Sequence, residues 1–254
     1  MTPSAAVPSI RASLAAGKPL VGTWCGLGDS VSLEIVARAG FDWICIDLQH
    51  GVAADAALPG LLQAADAAGV PALVRPRWNE AAAIGHALDL GAAGVVVPLV
   101  DGPVEAARAV ASCRYPPSGD RSWGPTRMDT GTDSDAVCVV MVESAAAVDA
   151  IDDIVVVPGL DGVFVGPTDL SLSLNGRTGG DVKEAVERVS AACARVGLVA
   201  GTACGRPSDI AAATAAGFRL LTVDWDIGML RASASATVEA ARAAVAATGE
   251  PTTR

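Results

Sequence analysis

Eight apolar, β-type runs separated by Ala-rich stretches of helical periodicity predict an α/β fold, a (β/α)8 TIM barrel spanning residues 1–254 as a single domain. Two further observations point the same way. The runs are continuously apolar rather than alternating, as in a parallel sheet covered on both faces. The chain has 254 residues, and one such barrel needs roughly 250.

In order, the strand-type runs are Leu20–Cys25, Trp43–Leu48, Ala72–Arg75, Gly94–Leu99, Val137–Val142, Gly162–Val165, Leu198–Thr202 and Arg219–Val223. The helical stretches between them include Ser30–Ala39, Ala56–Ala68, Glu80–Leu90, Pro103–Cys113 and Val182–Arg195. Gly40, Gly69, Gly91, Gly197 and Gly217 stand just before the next strand, as glycines that end helices do. A doubly wound open sheet is the competing architecture. It usually carries a Gly-rich phosphate loop after its first strand. Here that loop reads Cys25-Gly26-Leu27-Gly28-Asp29-Ser30, without a third glycine at the right spacing.

Three segments depart from the repeat. Ser9–Ala16 reads as a short helix covering the bottom of the barrel. Tyr115–Asp135 is rich in Pro, Gly and Asp and interrupts the rhythm before the fifth strand; loops of that length in compact domains are usually functional or disordered. The C-terminal helix, about Met229–Ala247, is more apolar than a solvated helix should be, so it is expected to pack on the barrel or on another subunit. The tail Thr248–Arg254 is expected to fray.

Composition narrows the function. The formal net charge is −10, and no Lys/Arg cluster offers a footprint for nucleic acid. No apolar run approaches the roughly 18 residues of a membrane span, and Met1–Pro19 lacks the apolar stretch of a signal peptide. A cytoplasmic protein that touches no membrane is therefore expected. None of the six cysteines forms a Cys-x-x-Cys pair, so reduced core thiols are expected and a zinc site is disfavoured.

In a closed parallel barrel all strand C-termini lie on one face, and that face carries the chemistry. His50 follows the second strand and suits proton transfer near neutral pH, although a plain surface histidine would look the same. His86 lies mid-helix and reads as structural. Arg75 ends the third strand, where a cation can bind a carboxylate or an enolate oxygen; Arg77 reads as an ordinary surface arginine. Glu143 and Asp169 follow the fifth and sixth strands, and adjacent strands lie about 4.8 Å apart. Two such carboxylates can converge on one hard cation, with Mg2+ or Mn2+ favoured over zinc; independent loop acids are the plainer alternative. The turn Gly166–Ser171 opens toward a helix, so N–H groups of Thr168 and Asp169 can cradle an anion, while Pro167 has none to offer. Asp47 and Gln49 flank the second strand end as hydrogen-bonding groups. Asp224 and Asp226 lie in the right region without an assigned role.

In this order the segments resemble the HpcH/HpaI aldolase family, metal-dependent class II pyruvate aldolases related to citrate lyase β subunits. The resemblance rests on Gly22-Thr-Trp24, Ala39-Gly-Phe-Asp-Trp43, Asp47-x-x-His50, Val74-Arg75-Pro76, Tyr115-Pro-Pro-x-Gly119, Glu143 and Gly162-Val-Phe-Val-Gly-Pro-Thr-Asp-Leu-Ser171. It implies a lyase that reversibly cleaves a 4-hydroxy-2-oxo acid to pyruvate and an aldehyde. By the same resemblance Glu143 and Asp169 would ligate a divalent metal (Mg2+, Mn2+ or Co2+), which pyruvate would chelate. Gly166, Thr168 and Asp169 would hold the pyruvate carboxylate, Arg75 would stabilise the enolate, and Trp24, Asp47 and Gln49 would line the substrate. His50, paired with Asp89, would move protons through water. Periodicity instead puts Asp89 near the C-terminal end of a helix, away from that face. It serves only if that helix ends early or a neighbouring subunit intervenes.

The family resemblance also implies a homohexamer, a trimer of dimers that exchange the C-terminal helix. Gln49 stands where many members have Glu, Met141 where some have Gln, and Tyr115–Asp135 is shorter than usual, leaving Arg121 and Arg127 as groups that could meet a polar or anionic acceptor. Two other readings remain. One is a citrate lyase β-like acyl-CoA lyase, which needs a basic site for the CoA phosphates. The other is a non-catalytic barrel that binds a keto acid.

Overall fold

Apolar runs dense in Val and Ile favour extended backbone, where branched side chains pack well. In the computed structural model, which describes residues 7, 9–124, 127, 135–175 and 181–248, they form eight strands. These are β1 (Leu20–Cys25), β2 (Trp43–Asp47), β3 (Ala72–Arg75), β4 (Gly94–Val97), β5 (Val137–Val142), β6 (Gly162–Val165), β7 (Val199–Cys204) and β8 (Leu220–Trp225). Each pairs in parallel with the next, and β8 closes on β1, so the barrel is complete and the open sheet is excluded.

The helices are α1 (Ile10–Ala15), α2 (Ser30–Ala37), α3 (Leu58–Ala68), α4 (Ala81–Asp89), α5 (Pro103–Cys113), α6 (Ala145–Asp149), α7 (Ile151–Ile154), α8 (Pro167–Leu174), α9 (Val182–Val196), α10 (Ile210–Ala215) and α11 (Asp226–Ala247). The expected run to Leu99 ends two residues earlier, because Pro98 cannot donate to the ladder.

Strand alternation divides the core in two. Trp43, Cys45, Leu73, Val137, Val139, Met141, Phe164 and Leu220 fill the inside of the barrel. Ile44, Ile46, Val74, Cys138, Val140, Val142, Val163 and Leu221 face the helices. Gly22 and Gly201 make room for the two largest inner rings: a Cβ would stand 2.5 Å from the Trp43 indole and 2.6 Å from the Phe164 ring. Ile10 and Leu14 of α1 join the inner cluster, so α1 closes the bottom of the barrel as expected. Full burial of each such side chain contributes about 2 kcal/mol.

All six cysteines are free and buried. No helix among the described residues is long and apolar enough to cross a membrane. Helix α11 is long and largely exposed. Of its 22 residues only Asp226 is buried, and Leu230, Val238 and Val245 are exposed.

Candidate active site

Alternation also aims the site. Asp47, Arg75 and Glu143 share the inward parity of Cys45, Leu73 and Met141, so they emerge at the top of the barrel interior. Asp47 and Arg75 are register partners on β2 and β3. The Arg75 guanidinium donates through Nε and Nη2 to both Asp47 oxygens, at 2.8 and 2.6 Å, and both side chains are buried. Burial disfavours the Arg75 charge, but the Asp47 carboxylate outweighs it and holds the guanidinium above its ordinary pKa. Asp47 Oδ1 also accepts the N–H groups of Gln49 and His50, at 3.0 and 3.2 Å. One carboxylate thus fixes both the arginine and the loop that carries His50. The guanidinium carbon lies 4.4 Å from the Trp24 ring centroid, a cation–π contact. Trp24 in turn meets Phe164 edge-on and donates to Thr222 Oγ1 at 2.9 Å.

Glu143 is nearly buried, and Leu99 N–H donates to its Oε1 at 2.8 Å. Leu99 does so at φ 59°, a left-handed conformation that costs a non-glycine residue free energy and is typical of functional sites. The other carboxylate oxygen faces Gly166, where a Cβ would stand 3.0 Å away. Burial raises the Glu143 pKa, the Leu99 hydrogen bond opposes that, and the nearby Asp169 charge raises it further. Asp169 lies in the first turn of α8, behind Gly166 and Pro167. First-turn N–H groups such as those of Thr168 and Asp169 have no acceptor within the helix.

Two carboxylates in mutual repulsion beside a buried arginine form an all-oxygen donor pair that suits a hard divalent cation. Among the described residues no three His, Cys, Asp or Glu side chains converge, so water or substrate oxygens would complete the shell.

Arg75 and Asp169 border a cavity of about 590 Å³, whereas Glu143, packed against Gly166, is not among the residues that line it. Trp24, Asp47, His50, Arg75, Gly166, Thr168 and Asp169 line it. Gln49 does not line it, although its Oε1 is buried without a hydrogen-bond partner.

Three expectations need correction within this chain. Asp89 ends α4 at the opposite end of the barrel and pairs with Arg121 at 2.7 Å, rather than meeting His50. A helix that follows a strand runs back down the barrel, so its last residue is carried away from the top. Arg121 is engaged there and lies over Tyr115, and Arg127 pairs with Asp66 and the Leu90 carbonyl. Neither arginine reaches the cavity. Residues 125, 126 and 128–134 of the Tyr115–Asp135 segment lie outside the described residues, as do 249–254 of the tail.

Sequence reasoning missed Leu99, Phe164, Cys204, Thr222 and Trp225. Pro98 and the inward parity of Phe164 were the available signals. Nor did it find the role of Asp226, whose buried carboxylate accepts N–H groups of Gly26, Leu27 and Ile227, tying the loop after β1 to α11.

A closed parallel barrel with a carboxylate pair, a pinned arginine and a histidine at its strand C-termini defines an enzyme of the TIM-barrel class. The sequence pattern of the HpcH/HpaI aldolase/citrate lyase family matches residues 20–231, and the chain belongs to that family. It is 40% identical over 177 residues to a 4-hydroxy-2-oxo-heptane-1,7-dioate aldolase of Salmonella arizonae, covering 65% of this chain and 67% of that protein. It is 36% identical over 208 residues to a hydroxypyruvate/pyruvate aldolase of Deinococcus radiodurans, covering 78% and 75%. The crystal structure of a family member from Burkholderia cenocepacia superposes with a TM-score of 0.85 at 33% identity, covering 92% of this chain and 99% of that one. The protein is a carbon–carbon lyase of the aldolase type.

Proposed function

We propose that the protein is a divalent-metal-dependent aldolase that reversibly cleaves a 4-hydroxy-2-oxo acid to pyruvate and an aldehyde. The observation that carries this reading is the convergence of Glu143 and Asp169 beside an arginine already locked by Asp47 and Trp24. Glu143 and Asp169 would hold the cation, Mg2+ or Mn2+, which when bound supplies Lewis-acid polarisation of the keto oxygen.

The chain's own residues do the rest. First-turn N–H groups at Thr168 and Asp169 hold the pyruvate carboxylate. Arg75, preorganised by its bidentate pair, sets a positive charge where the enolate oxygen develops. Trp24 and Phe164 wall off water. His50, exposed at the cavity rim, moves the proton to and from the substrate hydroxyl.

The acyl-CoA reading is disfavoured because Arg75 is the sole Lys or Arg among the described cavity-lining residues and Asp47 engages it. A pure keto-acid binder has no use for His50. The exposed apolar residues of α11 support a homo-oligomer, proposed as a hexamer of helix-exchanging dimers; a monomer by light scattering would refute it.

The decisive measurement is exchange of pyruvate methyl protons in deuterated buffer. Exchange with Mn2+ or Mg2+ that disappears with chelator is expected. Its absence at every metal concentration would sink the aldolase reading.

A further inference from the structure

The cavity has two walls. Donor groups come from β2, β3, β6 and the loops after them, with Met141 of β5 between them. The opposite wall comes from β7, β8 and β1: Ala203, Cys204, Gly205, Asp224, Trp225 and Trp24. Strand order places β8 between β7 and β1, opposite β4, so Asp224 and Trp225 stand across the barrel from the side flanked by Arg75 of β3 and by Glu143 just after β5. We infer that Asp224, backed by Trp225, selects uncharged, hydroxyl-bearing aldehydes and rejects aldehydes that carry a carboxylate. This inference rests on the aldolase reading above and names its acceptor class.

Asp224 is held in an unusual way. Its φ is 54°, left-handed for a residue with a Cβ. The backbone is retained there by two contacts: its carbonyl accepts Thr23 Oγ1 at 3.3 Å, and its Oδ1 accepts Trp225 N–H at 2.8 Å. Gly228 makes room for that carboxylate, since a Cβ would stand 2.3 Å from Oδ1. The backbone is strained and the neighbouring helix turn is hollowed, and the result presents an acid to the cavity.

The charge balance points the same way. Arg75 is matched by Asp47, and Asp169 is assigned to the cation. Arg121 and Arg127 are paired at the other end of the barrel. Among the described lining residues Asp224 is therefore a negative charge with no cation assigned to it on its wall. An aldehyde hydroxyl can donate a charge-assisted hydrogen bond to it. A second carboxylate would meet like charge in a partly enclosed space. Indole faces such as that of Trp225, 37% exposed, suit the C–H face of a small polyol. The small side chains of β7 leave that space open.

In the condensing direction the pyruvate C3 forms a carbon–carbon bond to the aldehyde carbon. The pyruvate methyl loses one proton and the aldehyde oxygen gains one, becoming the 4-hydroxyl, so no other reactant is needed.

The test uses the full chain with Mn2+. Pyruvate proton exchange without aldehyde is measured first; its absence fails the aldolase reading, and this inference with it. With exchange present, kcat/KM is compared for glyceraldehyde and succinate semialdehyde. A preference of about tenfold or more for glyceraldehyde is expected. Asn also accepts the left-handed backbone. Asp224→Asn should therefore fold and reduce that ratio by about tenfold, chiefly through the acceptor KM. Asp224→Gly, which relieves the strained φ, should do the same. A wild-type preference for the semialdehyde, or an unchanged ratio in both variants, overturns the inference while leaving the aldolase reading intact.

Discussion

The two ends of the barrel use the same residue types to opposite ends. At the bottom, Asp161 is held by Arg11, by Arg114 and by Cys138 N–H, and both arginines also reach the Ala136 carbonyl. Asp89 and Arg121 pair nearby. These charges meet partners in the chain, although a second cavity of about 400 Å³ opens beside Arg11 and Asp161. At the top, one pair is closed, Arg75 with Asp47; Asp169, His50 and Asp224 line the cavity beside it, and Glu143 feels the charges of Arg75 and Asp169 from just outside that lining. Matched charges hold the fold. Unmatched charges at the strand C-termini are available to a cation and a substrate.

Substitutions at the two ends should therefore separate stability from chemistry. The largest effect belongs to Arg75→Ala. Loss of its charge from the enolate oxygen should slow pyruvate exchange by about 10³-fold. It also leaves Asp47 buried and unpaired, so denaturant titration should show a loss of about 3 kcal/mol. Asp47→Ala in the same background should return part of that stability and none of the exchange. Full exchange in Arg75→Ala would remove its proposed role.

Glu143→Gln comes next. Outer groups around a metal typically cost 10–100-fold in affinity. A direct ligand should exceed that, so Mn2+ titration by calorimetry should weaken by more than about 100-fold; unchanged affinity would refute the assignment.

At the bottom, Asp161→Ala leaves Arg114 without its carboxylate and should cost about 3 kcal/mol. Exchange at 25 °C should stay at the wild-type rate; a specific loss of exchange would break the distinction between the two ends.

The smallest effect is Asp29→Ala, at the start of α2. Asp29 Oδ1 accepts N–H groups of Val31 and Ser32. Its pKa is lowered, chiefly by the Ser32 hydroxyl and then by the Ser32 N–H. A depressed carboxyl stabilises the fold above its ordinary pKa, and that contribution is lost as pH falls through the lowered value. The variant should lose about 1 kcal/mol near neutral pH. The difference from wild type should close in acid, and a gap that persists there would show that the cap acts without its charge.

Much of the architecture is legible in the sequence, for identifiable reasons. Strand runs show because branched apolar residues leave a continuous signal when both sheet faces are covered. His50, Arg75, Glu143 and Asp169 show because a polar side chain closing such a run marks the point where a buried strand emerges. Leu99 was hidden: a leucine after Val97-Pro98 reads as more strand, and only its left-handed turn reveals an N–H donor for Glu143. Arg121 and Arg127 misled, because a loop of unknown path let them be placed near the acceptor. Asp224 and Asp226 are adjacent-but-one acids in sequence, yet one presents its carboxylate to the cavity and the other locks a loop.

Local pattern was sufficient for the alternation of strands and helices, and the parity of each strand decides which side chains can enter the barrel. Both follow from the period of the backbone and the burial of apolar area, which are properties of neighbouring residues. Pairing was another matter. That Arg75 meets Asp47 at 28 residues' separation, Glu143 meets Leu99 at 44, and Asp89 meets Arg121 away from the cavity depends on barrel closure and register. Those contacts join residues distant along the chain, and a charge acquires its role from the partner the closed barrel brings within hydrogen-bonding reach.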